Sequence, residues 1–214
     1  MTVTFALVLS TLVLSAEPEL FERWEKEIAA IEKRLAMNPP AKGCVFFAGS
    51  SSIRLWNLAK SFPDQKYVNV GFGGSEIRDT THFVDRLLVP FEPRAIVFYA
   101  GDNDIAKKRT PEQVRDDFAA FVKAVRAKLP KAKIYYLPVK PSIARWSMYG
   151  IQTKANAYVK SACEADKLLG YIDTVPVTLG TDGKPKPELF VKDGLHLSEA
   201  GYAAWSAVVK KTIE

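Results

Sequence analysis

The chain has 214 residues, 48% of them hydrophobic and 25% charged, with a formal net charge of +6. That length and balance describe one folded domain with a sizeable core and exclude a disordered or low-complexity chain. The excess lysines are scattered among acids, as at Lys107, Lys108, Lys123, Lys128 and Lys131, so they read as solvated helix faces and not as a nucleic-acid stripe; no nucleic-acid partner is expected.

Residues 1–16 carry no charge, and Phe5 to Leu14 are nearly all apolar. The run is too short to span a bilayer and suits the apolar region of a signal peptide, with Leu14-Ser-Ala16 as the cleavage site. Export to a periplasm or the exterior is the expectation, with a cytoplasmic protein if the segment is not a signal. No stable membrane span is expected. Residues 17–40 follow as an N-terminal amphipathic helix: Leu20, Trp24, Ile28, Ile31 and Leu35 share one stripe, and Asn38-Pro-Pro40 ends it.

Residues 41–214 alternate strand and helix. Cys44 to Ala48 is an apolar run with the bulk of a strand buried on both faces, broken by Gly49-Ser-Ser-Ser52 and followed by a helix over about 52–60. Tyr67 to Val70 is a second strand, ending in Gly71-Phe-Gly-Gly-Ser75; a helix over 78–88 stops at Pro90 and Pro93. Ala95 to Ala100 is a third strand, ending at Gly101-Asp-Asn-Asp104. Thr110-Pro-Glu-Gln113 is a helix start with a cap, a first-position proline and a glutamine three residues on. Lys133 to Leu137 is a fourth strand, a helix covers about 146–169, and Tyr171 to Asp173 is a fifth strand. Residues 174–192 read as a long loop, and Ser198 caps a last helix carrying Tyr202, Trp205 and Val209. Cys44, in a strand, and Cys163, in a helix, read as buried thiols. The architecture implied is an α/β fold, a three-layer α/β/α sandwich around a five-stranded parallel sheet.

In such sheets ligands bind at the rim formed by the carboxyl ends of the strands. Four polar segments leave the sheet there: Gly49-Ser-Ser-Ser52, Gly71-Phe-Gly-Gly74, Gly101-Asp-Asn-Asp104 and, before the last helix, Asp193-Gly-Leu-His196. Together they supply a hydroxyl nucleophile, N–H donors for an oxyanion, a base and a carboxylate to orient it. The chain has only two histidines. Asp79-Thr-Thr-His82 repeats the Asp-x-x-His spacing, but His82 falls inside a predicted helix on its surface, whereas His196 lies in a loop with a glycine. His196 is the expected base.

These four blocks, in order and covering about residues 44–212, resemble those of the SGNH hydrolases, also called GDSL esterases or lipases. The resemblance implies a flavodoxin-like sheet and a serine esterase with Ser51, Asp193 and His196 as triad and with Ser51, Gly74 and Asn103 as oxyanion donors. One departure is Ser50, where the family usually has Asp; Ser50 and Ser52 stand as formal rivals to Ser51. Ser50, Lys140, Arg145 and Trp146 flank the rim as candidate substrate contacts, while Trp56 and Asp104 read as structural. Neither metal nor cofactor is expected, since there is no H-E-x-x-H and no paired-cysteine motif. The substrate class implied is a small-molecule, carbohydrate or lysophospholipid-type ester, with short-acyl or carbohydrate esters preferred. The alternatives are a flavodoxin-like module holding the phosphate of FMN at Gly49–Ser52, or an inactive hydrolase fold used for binding.

Overall fold

The computed structural model describes residues 17–213, so the signal-peptide reading of residues 1–16 lies outside the described residues. In chain order the elements are α1 Glu17–Glu22, α2 Glu25–Met37, β1 Val45–Gly49, α3 Ser51–Arg54, α4 Leu58–Ser61, β2 Val68–Asn69, α5 Ile77–His82, α6 Val84–Leu87 and β3 Ala95–Tyr99. There follow α7 Asp102–Ala106, α8 Pro111–Lys128, β4 Lys133–Tyr136, α9 Tyr149–Glu164, β5 Leu169–Tyr171, α10 Val175–Thr178 and α11 Glu199–Ile213.

The five strands are all parallel in the order β2-β1-β3-β4-β5. The sheet therefore reverses direction of growth at β1 and β3, the point where the loops leaving adjacent strands part and a crevice opens. Register places Gly49 opposite Tyr99 at that point. Every residue of β1 and β3 is buried, because helices cover both faces. Phe46, Ala48, Ile96 and Phe98 pack with α2, α5, α8 and α9 on one face. Val45, Phe47, Val97 and Tyr99 pack with Trp56, Phe62 and the Trp205 face of α11 on the other. Trp56 is thus a core residue, its indole N–H donating to Ser61 Oγ at 2.9 Å.

Several elements depart from the sequence reading, each for a tertiary reason. The N-terminal helix is two helices: the chain breaks at Arg23-Trp24, which turns Arg23 onto the buried carboxylate of Asp79 at 3.1 Å and Trp24 onto Phe72, ring centroids 5.2 Å apart. Ile28, Ile31 and Leu35 of α2 then join the main core. The helix over 52–60 is likewise α3 and α4, the latter capped by Asn57 Oδ1, and that over 78–88 is α5 and α6. Helix α9 begins at Tyr149 after a 3-10 turn at Trp146–Met148 and ends at Glu164. β5 lies two residues earlier than its pattern suggests, and by Asp173 the chain is already turning, with the Asp173 carboxylate accepting from Val175 N–H at 3.1 Å. The 174–192 segment contains α10 and a 3-10 turn at Pro187–Leu189. Cys44 and Cys163 are free thiols; burial pushes the Cys163 pKa up to about 12. No helix among the described residues is long and apolar enough to cross a membrane.

Candidate active site

The site begins where β1 ends. Gly49 has φ +121, and a Cβ there would lie 2.0 Å from the Tyr99 carbonyl oxygen, so only glycine lets the chain turn this tightly beside β3. Ser50 N–H then donates to Tyr99 O at 2.9 Å, and α3 starts at Ser51. Ser51 is the first residue of a helix, so its N–H has no intrahelical acceptor and points out of the helix's positive end. The three serines diverge. Ser51 Oγ meets His196 Nε2 at 3.0 Å, Ser50 Oγ turns to Asn103, and Ser52 is buried. Of the three hydroxyls, that of Ser51 is the one in contact with the imidazole.

His196 is held by a compact loop. Asp193 Oδ1 accepts from the backbone N–H groups of Leu195 and His196 at 2.8 and 2.9 Å, an Asx turn, and Gly194 takes φ +64 within it. The other carboxylate oxygen lies 2.7 Å from His196 Nδ1, which leaves Nε2 for Ser51. Partial burial works to raise the Asp193 pKa, but the His196 ring and the two backbone donors outweigh it and bring the carboxyl down to about 2. Asp193 is therefore anionic at any pH near neutrality. His82, by contrast, stacks on Phe21 with ring centroids 4.0 Å apart and plays no part in this cluster.

The glycine loop after β2 and the start of α7 complete the arrangement. Gly74 adopts φ +79, and a Cβ there would meet only Trp24, at 3.5 Å; backbone conformation, not crowding, calls for glycine. Asn103 sits between this loop and α3. Its amide nitrogen donates to Ser50 Oγ at 2.9 Å and to the Ser75 carbonyl at 3.0 Å, while its oxygen accepts from Arg145 Nη2 at 3.0 Å. Asp104 faces away: it is fully buried and accepts from Ile77 N–H at 3.1 Å, tying the start of α5 to α7.

Ser50, Ser51, Gly73, Gly74, Asn103, Arg145 and His196 line one cavity of about 350 Å³, together with Glu27, Arg54, Tyr99, Asp102 and Leu195. Two of the candidate substrate contacts are corrected. Lys140 does not flank the rim: it is 1% exposed, and its ammonium is consumed by Asp102 at 3.0 Å and the Tyr99 hydroxyl at 3.1 Å. Trp146 stacks on Tyr149 and does not line the cavity. The sequence reading passed over Glu27, a helix-surface charge with no motif around it, and Arg54, which follows the Gly49–Ser52 block by two residues. It also passed over Asp102, hidden within the Gly101–Asp104 block whose asparagine drew attention instead. A second, more apolar trough of about 780 Å³ starts at Asp193 and His196 and runs between Leu55, Val191, Tyr202 and Ala203. Among the described residues no group of three or more His, Cys, Asp or Glu side chains is placed to hold a metal.

Comparison with solved structures gives the same fold. Over 92% of this chain and 96% of the other, the structure is similar to a Streptococcus pneumonia protein suggested to be a platelet activating factor, at 21% identity and TM-score 0.80. It is similar to a GDSL-like lipase from Bacteroides thetaiotaomicron VPI-5482, at 21% identity and TM-score 0.71 over 90% and 96%. An acetyl-xylooligosaccharide esterase from Geobacillus Stearmophilus, solved as a variant, gives 14% identity and TM-score 0.63 over 80% and 94%. No curated protein sequence matches the chain. Residues 49–204 match the model of the GDSL-like lipase/acylhydrolase family, from the turn that presents Ser51 to the last helix, and the chain belongs to that family.

Proposed function

We propose that this protein is a serine carboxylesterase working through an acyl-enzyme. The observation that carries the reading is the continuous line Ser51 Oγ, His196 Nε2, His196 Nδ1, Asp193 Oδ2, with contacts of 3.0 and 2.7 Å. His196 takes the Ser51 proton as Oγ attacks the ester carbonyl. The oxyanion is received by the N–H groups of Ser51 and Gly74 and by Asn103 Nδ2, whose hydrogen now on Ser50 Oγ passes to the stronger acceptor. His196 then protonates the departing alcohol, and water clears the acyl group with His196 again as base. Asp193 fixes the imidazole tautomer and stabilises the imidazolium. Each oxyanion donor is worth ~100-fold or more in turnover.

The preferred substrate is a short-acyl ester of a hydroxylated carrier. Glu27 and Arg54 face the cavity with Arg145, and paired carboxylate and guanidinium groups serve hydroxyls better than an alkyl chain. The apolar trough beside His196 favours a second reading, an ester with a longer apolar arm of the lysophospholipid type. Export, directed by residues 1–16, is the companion proposal, checked by the N-terminal sequence of protein recovered outside the cytoplasm.

Hydrolysis of p-nitrophenyl esters from acetate to decanoate tests the chemistry and separates the two substrates. Acetate should be turned over best, and a kcat/KM that climbs steadily with chain length transfers the preference to the second reading. Ser51→Ala should abolish hydrolysis and prevent labelling by a sulfonyl fluoride; full activity in that variant moves the nucleophile elsewhere.

A further inference from the structure

Behind the Asn103 amide lies a buried charge cluster that the reaction as described leaves without a task. Asp102, 4% exposed, is bound by four groups: Arg145 Nη1 at 2.7 Å, Lys140 Nζ at 3.0 Å, the Tyr99 hydroxyl at 3.2 Å and Gln152 Nε2 at 3.4 Å. Burial works to raise the Asp102 pKa, but Lys140 and Arg145 outweigh it and hold the carboxyl below its ordinary range. One carboxylate thus faces two cations, and Lys140 alone suffices to neutralise it. Arg145 carries the surplus charge, and its second prong does not go to Asp102. Nη2 donates 3.0 Å to Asn103 Oδ1.

We infer that Arg145, anchored by the buried Asp102–Lys140 pair, is a positioning residue that holds the Asn103 amide nitrogen toward the oxyanion. The reasoning rests on the acyl-enzyme reading above. An asparagine amide has two orientations that differ by exchange of oxygen and nitrogen, and only one puts N–H donors into the site. A guanidinium donates and cannot accept, so Arg145 admits only the amide oxygen on its side. The nitrogen is thereby sent to the opposite side, where it lies on Ser50 Oγ at the cavity wall and on the buried Ser75 carbonyl. The same contact polarises the amide, making its N–H groups better donors, and leaves one net positive charge behind the place where negative charge develops. Arginine suits the task because its fork spans Asp102 and Asn103 at once, which a lysine does not.

The test is a double-mutant cycle on p-nitrophenyl acetate. Arg145→Ala should lower kcat ~10- to 100-fold, with KM within about twofold, since the interaction gained is made only in the transition state. In an Asn103→Ala background the same substitution should cost nothing further, because the group it positions is gone. Losses that multiply across the two sites, or a loss expressed in KM, overturn the proposal and make Arg145 a direct substrate contact. A loss of melting temperature with unchanged kcat makes it merely structural. Should Arg145→Ala fail to fold, Arg145→Lys keeps the charge beside Asp102 without the second prong and is run through the same cycle with the same expectations. Ser51→Ala is measured alongside: residual turnover there overturns the acyl-enzyme reading and the positioning role with it, whereas an inert Ser51→Ala with multiplicative losses overturns the positioning role alone.

Discussion

Replacing Asp104 by asparagine should flatten the dependence of stability on pH. Asp104 is fully buried, accepts one hydrogen bond from Ile77 N–H, and its Oδ2 has no partner. Burial, reinforced by the negative charges of Glu76 and Asp117 and opposed by the Ile77 contact, raises its pKa from the ordinary 3.8 to about 7. The folded protein therefore binds this proton more tightly than the unfolded chain does. The stability so contributed is whole below pH ~4 and is lost as pH rises through ~7, a total of about 4 kcal/mol at 1.36 kcal/mol per pH unit. Between pH 5 and pH 8 the loss is about 2.5 kcal/mol. Asparagine keeps the acceptor for Ile77 and does not titrate. Its Nδ2 lacks an acceptor and costs ~1–3 kcal/mol, but equally at every pH. Urea titrations at pH 5, 6, 7 and 8, followed by tryptophan fluorescence, separate the constant offset from the slope. Wild type should lose about 2.5 kcal/mol more than Asp104→Asn across that range. Parallel curves for the two proteins refute the reasoning.

Lys140→Met should destabilise the fold by about 2 kcal/mol in a urea titration, less than the ~3–5 kcal/mol of a pair broken outright, because Arg145 still faces Asp102. Asp193, with its pKa lowered to about 2, should stay ionised as pH falls to ~3, so its carboxyl ¹³C shift should move only below that point; movement near pH 4 contradicts the Asx turn and the His196 contact. Asp193→Asn should lower kcat by ~10³- to 10⁴-fold with the fold unchanged by circular dichroism. His82→Ala should leave kcat and KM within error and lower stability by ~1 kcal/mol through the lost stack on Phe21, read as a small fall in melting temperature.

What was legible in the sequence was local. Asp193 and His196 are three residues apart in one turn, so their pairing follows from spacing alone. The strand-end blocks marked the rim because a parallel sheet sends its ligand-facing loops to one edge. The misreadings have long-range causes. Lys140, expected to flank the rim as a substrate contact, is buried instead against Asp102, a partner 38 positions away. The break at Arg23-Trp24 answers to Asp79, 56 residues on. Gly170 falls before the strand expected at Tyr171 to Asp173, yet it is the middle of β5. A Cβ there would lie 2.5 Å from the Tyr135 ring, so the glycine is set by a neighbouring strand's side chain. Among three consecutive serines, the chain alone does not say which one faces the imidazole. The turn at Gly49 and the start of α3 decide it.

The entrance to the cleft is furnished partly by a stretch outside the family match, which starts at residue 49. Glu27 of α2 forms one wall and accepts from Gly73 N–H at 3.4 Å, while Trp24 sits over Gly74. The doorway and the reaction machinery thus belong to different parts of the polypeptide. Substitution at Glu27, on the cavity side of α2, can retune what is admitted while Ile28, Ile31 and Leu35 keep the helix on the core. Trimming back to the matched stretch would remove more than the doorpost, because Val45 to Ala48 of the central strand β1 lie before residue 49.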